Sequence, residues 1–137
     1  MIADCGLSKS LINQTSGSVI REIHGYIEPQ CYKNPGYKRN KKSDIYSLGV
    51  LFWEISSGRI PFLNNEPHNI WFKICNGLRE TPADDTPSKY QQLYQKCWDT
   101  DPDSRPDINN VRETLIQLKS RFDTVECEIQ EGNNQYV

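Results

Sequence analysis

The chain has 137 residues, 36% of them hydrophobic, and a formal net charge of −2. That length fits one domain with a modest core, and the near-neutral balance gives no overall pull toward nucleic acid or an anionic membrane. Five cysteines (Cys5, Cys31, Cys75, Cys97 and Cys127) are scattered without a CxxC pair, which points away from a disulfide framework and toward a reducing, cytoplasmic setting. No targeting or transmembrane segment is visible, so no membrane partner is expected.

Met1-Ile2-Ala3 is a short apolar run, at most a strand fragment, and Asp4-Cys5-Gly6 is a turn signal. Residues 7–23 are rich in Ser, Thr, Asn and Gln and read as a mobile loop. Residues 25–32 carry aromatics around Pro29, and residues 33–42 gather Lys33, Lys38, Arg39, Lys41 and Lys42 around Pro35 and Gly36. That basic loop is read as a solvated face with no nucleic-acid role.

The stretch from Lys42 to Ile55 is apolar on nearly every face, which predicts a buried helix rather than a surface one. Ser43 is the expected N-cap, Asp44 suits the positive end of the helix dipole, and Gly58 and Pro61 stop the helix after Ser57. A second helix is expected from about Glu66–His68 to Asn76, on the face of Ile70, Trp71, Ile74 and Cys75. A third starts at Pro87 or Ser88, with the stripe Tyr90, Leu93, Tyr94, Cys97 and Trp98. Asp107 is the expected N-cap of a fourth, whose stripe is Ile108, Val111, Leu115, Leu118 and Phe122. The acidic and polar tail, residues 123–137, is expected to be disordered. The predicted fold is mainly α.

Three punctuated segments stand in order: Ile2-Ala3-Asp4-Cys5-Gly6-Leu7-Ser8-Lys9, the helix from Lys42 to Glu54, and Cys97-Trp98-Asp99 through Pro102 to Arg105-Pro106. Together they resemble the C-terminal half of the protein kinase domain, in its tyrosine-kinase-like, Ser/Thr-type branch. The resemblance covers residues 1–122, with an activation segment at 4–30 and a helical lobe at 43–122. It implies a helical C-lobe fold. It also implies that Asp4, with Gly6, matches the Asp-Phe-Gly motif whose carboxylate holds Mg²⁺ against the ATP phosphates. Glu28-Pro29-Gln30 matches the motif Ala-Pro-Glu. Asp44 matches a residue that accepts amide bonds from the catalytic loop, and Arg105 one that pairs with the Glu of Ala-Pro-Glu. Thr15, Ser16 and Ser18 are candidate phosphosites in the activation loop.

The departures carry equal weight. The sequence has no Gly-rich phosphate loop, no strand lysine with its glutamate partner and no His-Arg-Asp catalytic loop. Phosphoryl transfer depends on positioning nucleotide, metal and hydroxyl together, so no catalytic residue is assigned. Met1 directly before Ile2-Ala3-Asp4 reads as a cut domain. Cys5 replaces a Phe, which forfeits part of a burial worth about 1.5–3 kcal/mol. Gln30 stands where the Glu belongs and Glu28 where the Ala belongs, so either Gln30 or Glu28 is expected to reach Arg105. The expected function is that of a kinase fragment, inactive by itself, whose intact domain uses ATP and Mg²⁺ to phosphorylate protein Ser/Thr. The alternative is a pseudokinase-like module that binds a partner kinase or a protein substrate, with the second helix (Trp71 and Phe72) and the loop before it as its docking surface.

Overall fold

A computed structural model describes residues 24–134, with side chains as far as Asp123. In chain order the helices are α1 (Gln30–Lys33), α2 (Lys41–Ser57), α3 (Ile70–Cys75), α4 (Ser88–Cys97) and α5 (Ile108–Asn134). Single 3-10 turns at Pro67–Asn69 and Pro102–Ser104 lead into α3 and away from α4. The fold is mainly α, and no strand occurs among the described residues. The strand fragment expected at residues 1–3 lies outside them.

α2 starts earlier than expected, and Ser43 is not its N-cap. Asn40 is: its backbone is extended, and its side-chain oxygen accepts from the amides of Lys42 and Ser43 at 2.9 and 3.4 Å. Ser43 Oγ accepts in return from the Asn40 amide at 2.9 Å. Two orphan amide groups are thus satisfied reciprocally, which a cap at Ser43 alone would not achieve. At the other end Gly58 takes φ 65° and its N–H donates to the Glu54 carbonyl, a left-handed conformation that favours glycine.

Ile45, Tyr46, Val50, Phe52 and Trp53 of α2 are buried at the centre of the core. The helix is not buried all round, however. Leu51 is 41% and Ile55 66% exposed, because the described elements pack against the other faces and leave this flank open. α4 supplies Leu93, Tyr94, Cys97 and Trp98 to the same core, along the stripe read from the sequence. α3 buries Ile70 and Ile74, while Trp71 stays 40% exposed and Cys75 half-buried.

The closest approach in the core is between the backbones of α2 and α4. A Cβ added at Gly49 would lie 2.7 Å from Cys97 Cβ, 3.0 Å from the Tyr94 carbonyl oxygen and 3.1 Å from the Trp98 nitrogen. Two of these atoms are backbone and cannot swing aside. Gly49→Ala gains helix propensity but forces the two helices apart, and overpacking prevails at about 1–3 kcal/mol. Urea unfolding followed by circular dichroism reads this loss. A variant as stable as the parent would show that the helices separate freely.

Asp107 caps α5 as expected, its carboxylate accepting from the Asn110 amide at 2.8 Å. Val111 and Leu118 are buried, but Ile108 and Phe122 at the ends of the stripe are exposed. The helix does not stop at Phe122 and give way to a disordered tail. It runs on to Asn134, through a stretch without proline that includes the good helix formers Glu and Gln.

Candidate functional site

The stretch 24–33 leaves the helical body and is tied back to it at several points. Ser47 Oγ of α2 donates to the Tyr26 carbonyl at 2.7 Å, and the Tyr26 phenol donates to the Glu54 carboxylate. The Cys75 thiol of α3 lies 3.7 Å from the Pro29 carbonyl. Gly25 is buried against Phe62, where a Cβ would come within 3.0 Å of the ring. Phe62 itself takes φ 59°, rare for a bulky side chain. Its N–H donates to Glu80 Oε1 at 2.5 Å and its ring is buried, which together hold the strained turn.

The strongest tie is ionic. Arg105 Nη1 lies 2.5 Å from Glu28 Oε2, and both side chains are fully buried. The other Glu28 oxygen accepts from the Ser43 hydroxyl. Arg105 Nη1 also donates to the Lys42 carbonyl at 2.9 Å and Nε to the Asp99 carbonyl at 2.8 Å, while Lys42 Nζ donates back to the Arg105 carbonyl at 2.6 Å. The guanidinium carbon sits 5.1 Å from the centre of the Tyr46 ring, in range for a cation–π contact. Arg105 Nη2 is buried without a hydrogen-bond partner, so the network is tight but not complete.

Glu28, not Gln30, therefore reaches Arg105. Gln30 turns elsewhere: its Nε2 donates to the Thr100 carbonyl at 3.3 Å and its Oε1 accepts from Asn34 Nδ2 at 2.8 Å. Pro29 is buried between them. Asp44 is apart from this cluster and exposed. It lines a groove of about 630 Å³ with Ile45, Leu48, Asp107 and Ile108, in the size range of ligand pockets. Asp4 and Gly6, on which Mg²⁺ and ATP binding rest, lie outside the described residues, as do Thr15, Ser16 and Ser18. Among the described residues no group of three or more His, Cys, Asp and Glu could hold a metal ion. The described part of the chain therefore offers no fitted metal centre.

Two residues of the site escape sequence reasoning. Ser43 looks like a helix cap, and nothing in its spacing points to Glu28. Arg79, in a polar loop, is mostly buried and donates to the carbonyls of Trp98 (2.9 Å), Ile74 (3.0 Å) and Leu78 (2.7 Å) and to Thr100 Oγ1 (3.1 Å). Its guanidinium carbon lies 5.2 Å from the centre of the Tyr46 ring. Burial lowers the Arg79 pKa and lifts that of Tyr46 to about 12. Tyr46 thus has two guanidinium groups beside its ring, which joins the loop after α3 to the loop after α4.

The family profile described as protein tyrosine and serine/threonine kinase matches residues 1–115. The chain belongs to the protein kinase family. Among similar proteins, a probable serine/threonine-protein kinase of Dictyostelium discoideum is 34% identical over 89% of this chain and 7% of its own length. The human receptor-interacting serine/threonine-protein kinase 3 is 32% identical over 91% of this chain and 26% of its own. The Arabidopsis thaliana serine/threonine-protein kinase VIK is 30% identical over 86% and 28%. The chain thus spans a small part of the curated relatives that it matches.

Within this protein kinase lobe, the Asp44 side chain is exposed and lines the groove described above. Asp44→Asn removes only its attraction to the helix dipole, worth about 0.3–1 kcal/mol. A small loss on thermal unfolding of the 137-residue chain is the expected result, and a loss of several kcal/mol would reveal a partner for Asp44.

No helix among the described residues is long and apolar enough to cross a membrane.

Proposed function

We propose that this chain forms the helical lobe and activation segment of a protein kinase domain, which in intact form transfers phosphate from ATP, with Mg²⁺, to Ser or Thr of a protein. By itself the 137-residue chain is read as catalytically incomplete. The observation that carries the reading is the family match over residues 1–115, joined to the buried Glu28–Arg105 pair that fastens the end of the activation segment to the lobe. Asp4, with Gly6, is the residue proposed to face the metal and nucleotide. Thr15, Ser16 and Ser18 are proposed as modification sites, and the setting is proposed to be cytoplasmic.

Phosphate incorporation tests this directly. The product of the full-length transcript, given Mg-ATP and a protein substrate, is expected to phosphorylate Ser or Thr, and Asp4→Asn is expected to abolish the signal. The 137-residue chain alone is expected to give none. Sustained, Asp4-dependent transfer by that chain would overturn its incompleteness, and an inert full-length product would overturn the kinase assignment.

One observation favours a second reading, a non-catalytic module that binds a partner kinase. Trp71 and Phe72 on α3 are 40% and 57% exposed, and aromatic side chains are enriched at the energetic centres of interfaces. Co-purification of the short chain with a full-length kinase, lost in Phe72→Ala, would support it.

A further inference from the structure

We propose that the C-terminal half of α5 pairs with the same segment of a second copy of this chain, as a short antiparallel coiled coil. Such pairing needs no kinase activity and stands apart from the proposed phosphoryl transfer.

Along α5, apolar residues stand at Ile108, Val111, Leu115, Leu118, Phe122, Val125 and Ile129. Their spacing alternates between three and four over three heptads, which is the seam of a coiled coil. From Lys119 to Glu131 every position off that seam is polar or charged except Cys127. The lobe itself uses only the first part of the seam. Val111 and Leu118 are buried and Leu115 packs against the core, whereas Phe122 is 54% exposed. Ile116, off the seam, is the exposed exception within the lobe. The helix then continues to Asn134, with Val125 and Ile129 at the next two seam positions. An isolated helix of this length is marginal in water, and a narrow apolar seam gains its stability from a partner that covers it.

Charge selects the occupant. Lys119 and Arg121 precede Phe122, and Glu126 and Glu128 follow Val125, so the segment is basic at one end and acidic at the other. Residues three or four places away along the helix offer no opposite charge to Arg121, Glu126 or Glu128, while Lys119 has Asp123. Two copies related by a twofold axis satisfy one another, because the basic end of each meets the acidic end of the other. In the antiparallel register Phe122 pairs with the partner's Val125, Lys119 with the partner's Glu126, and Arg121 with the partner's Glu128. A parallel register offers only Arg121 with the partner's Glu126. The antiparallel register also brings the partner's Ile129 to Leu118. There a pocket of about 150 Å³, lined by Pro87, Ser88, Lys89, Leu118, Arg121 and Phe122, opens beside the seam, with room for one aliphatic side chain.

The test is sedimentation equilibrium of the 137-residue chain, where a reversible monomer–dimer equilibrium is expected. Phe122→Glu changes an exposed side chain and is expected to weaken dimerisation about tenfold or more, with thermal unfolding of the dilute monomer unchanged. Ile55→Glu, on the open flank of α2, is expected to leave dimerisation as it is. Lys119→Glu and Glu126→Lys are each expected to weaken it about tenfold, and the two together to restore most of it. A double variant as weak as either single one would overturn the antiparallel pair, since in a parallel pair Glu126→Lys opposes Arg121 whatever stands at position 119. A chain that stays monomeric at all concentrations, or a dimer lost with Ile55→Glu and kept with Phe122→Glu, would overturn the pairing altogether. Mass is read without ATP, so an inert full-length product removes only the kinase assignment, and a monomeric chain removes only the coiled coil.

Discussion

Arg105→Ala is expected to lower the unfolding free energy by about 3–5 kcal/mol. The size follows from what the truncation leaves behind. Glu28 would remain fully buried with one hydrogen bond, from Ser43, and a buried carboxylate without its cation is costly. The carbonyls of Asp99 and Lys42 would lose their donors, and the face of Tyr46 its cation. The net worth of the intact pair is a separate quantity, since desolvation offsets most of the attraction between buried charges. A double-mutant cycle separates the two. Glu28→Ala is expected to cost nearly as much as Arg105→Ala, and the double variant far less than their sum. Gln30→Ala should cost only about 0.5–1.5 kcal/mol, because its bonds are neutral, one part-buried and the other exposed. Urea unfolding of the four variants decides the matter. A large loss at Gln30 with little at Glu28 would mean that the pairing in solution follows the family motif and not the pairing described.

Trp53→Ala is the second large effect, at about 3–5 kcal/mol. Trp53 is 1% exposed, and its Nε1 donates to the Thr81 carbonyl at 2.8 Å. The indole therefore fills the core and fixes the loop that leads to α4. Most of the loss comes from the volume removed, because Thr81 is exposed and its carbonyl can find water. Trp53→Phe should accordingly recover more than half of the loss without restoring the hydrogen bond. If the Phe variant is as unstable as the Ala variant, the bond to Thr81 matters more than the packing. Guanidinium unfolding read by circular dichroism, with the midpoint and slope of all three proteins, provides the comparison.

The helices were readable because their signals are local. The stripe from Tyr90 to Trp98, the cap at Asp107 and the stop at Gly58 each lie within a few residues of what they control. The position of α2 is legible in the same way, but the extent of its burial is not. Leu51 and Ile55 have the composition of a core flank, yet whether anything covers them depends on elements distant in sequence. The role of Ser43 is hidden for a related reason: Asn40 and Ser43 are both good capping residues, and only the buried contact with Glu28 fixes which does what. The sequence offers Arg105 two partners, because Glu28 and Gln30 lie on either side of Pro29. A single turn of backbone decides which side chain faces inward. Arg79 gave no local signal, since its acceptors are main-chain carbonyls, which every sequence possesses.

The Glu28–Arg105 contact joins residues 77 positions apart in the chain. Closing so long a loop costs entropy that must be met before the contact forms. The α2–α4 packing spans a shorter stretch of chain and can assemble first. The stretch 24–33 then completes its docking late, although its bonds to Ser43, Ser47 and Glu54 of α2 span only 15 to 28 positions. Its release can occur while the helices stay folded, as an opening that costs less than global unfolding. Any protease or modifying enzyme that acts on this stretch would meet it in that opened form, at a frequency set by the ion pair.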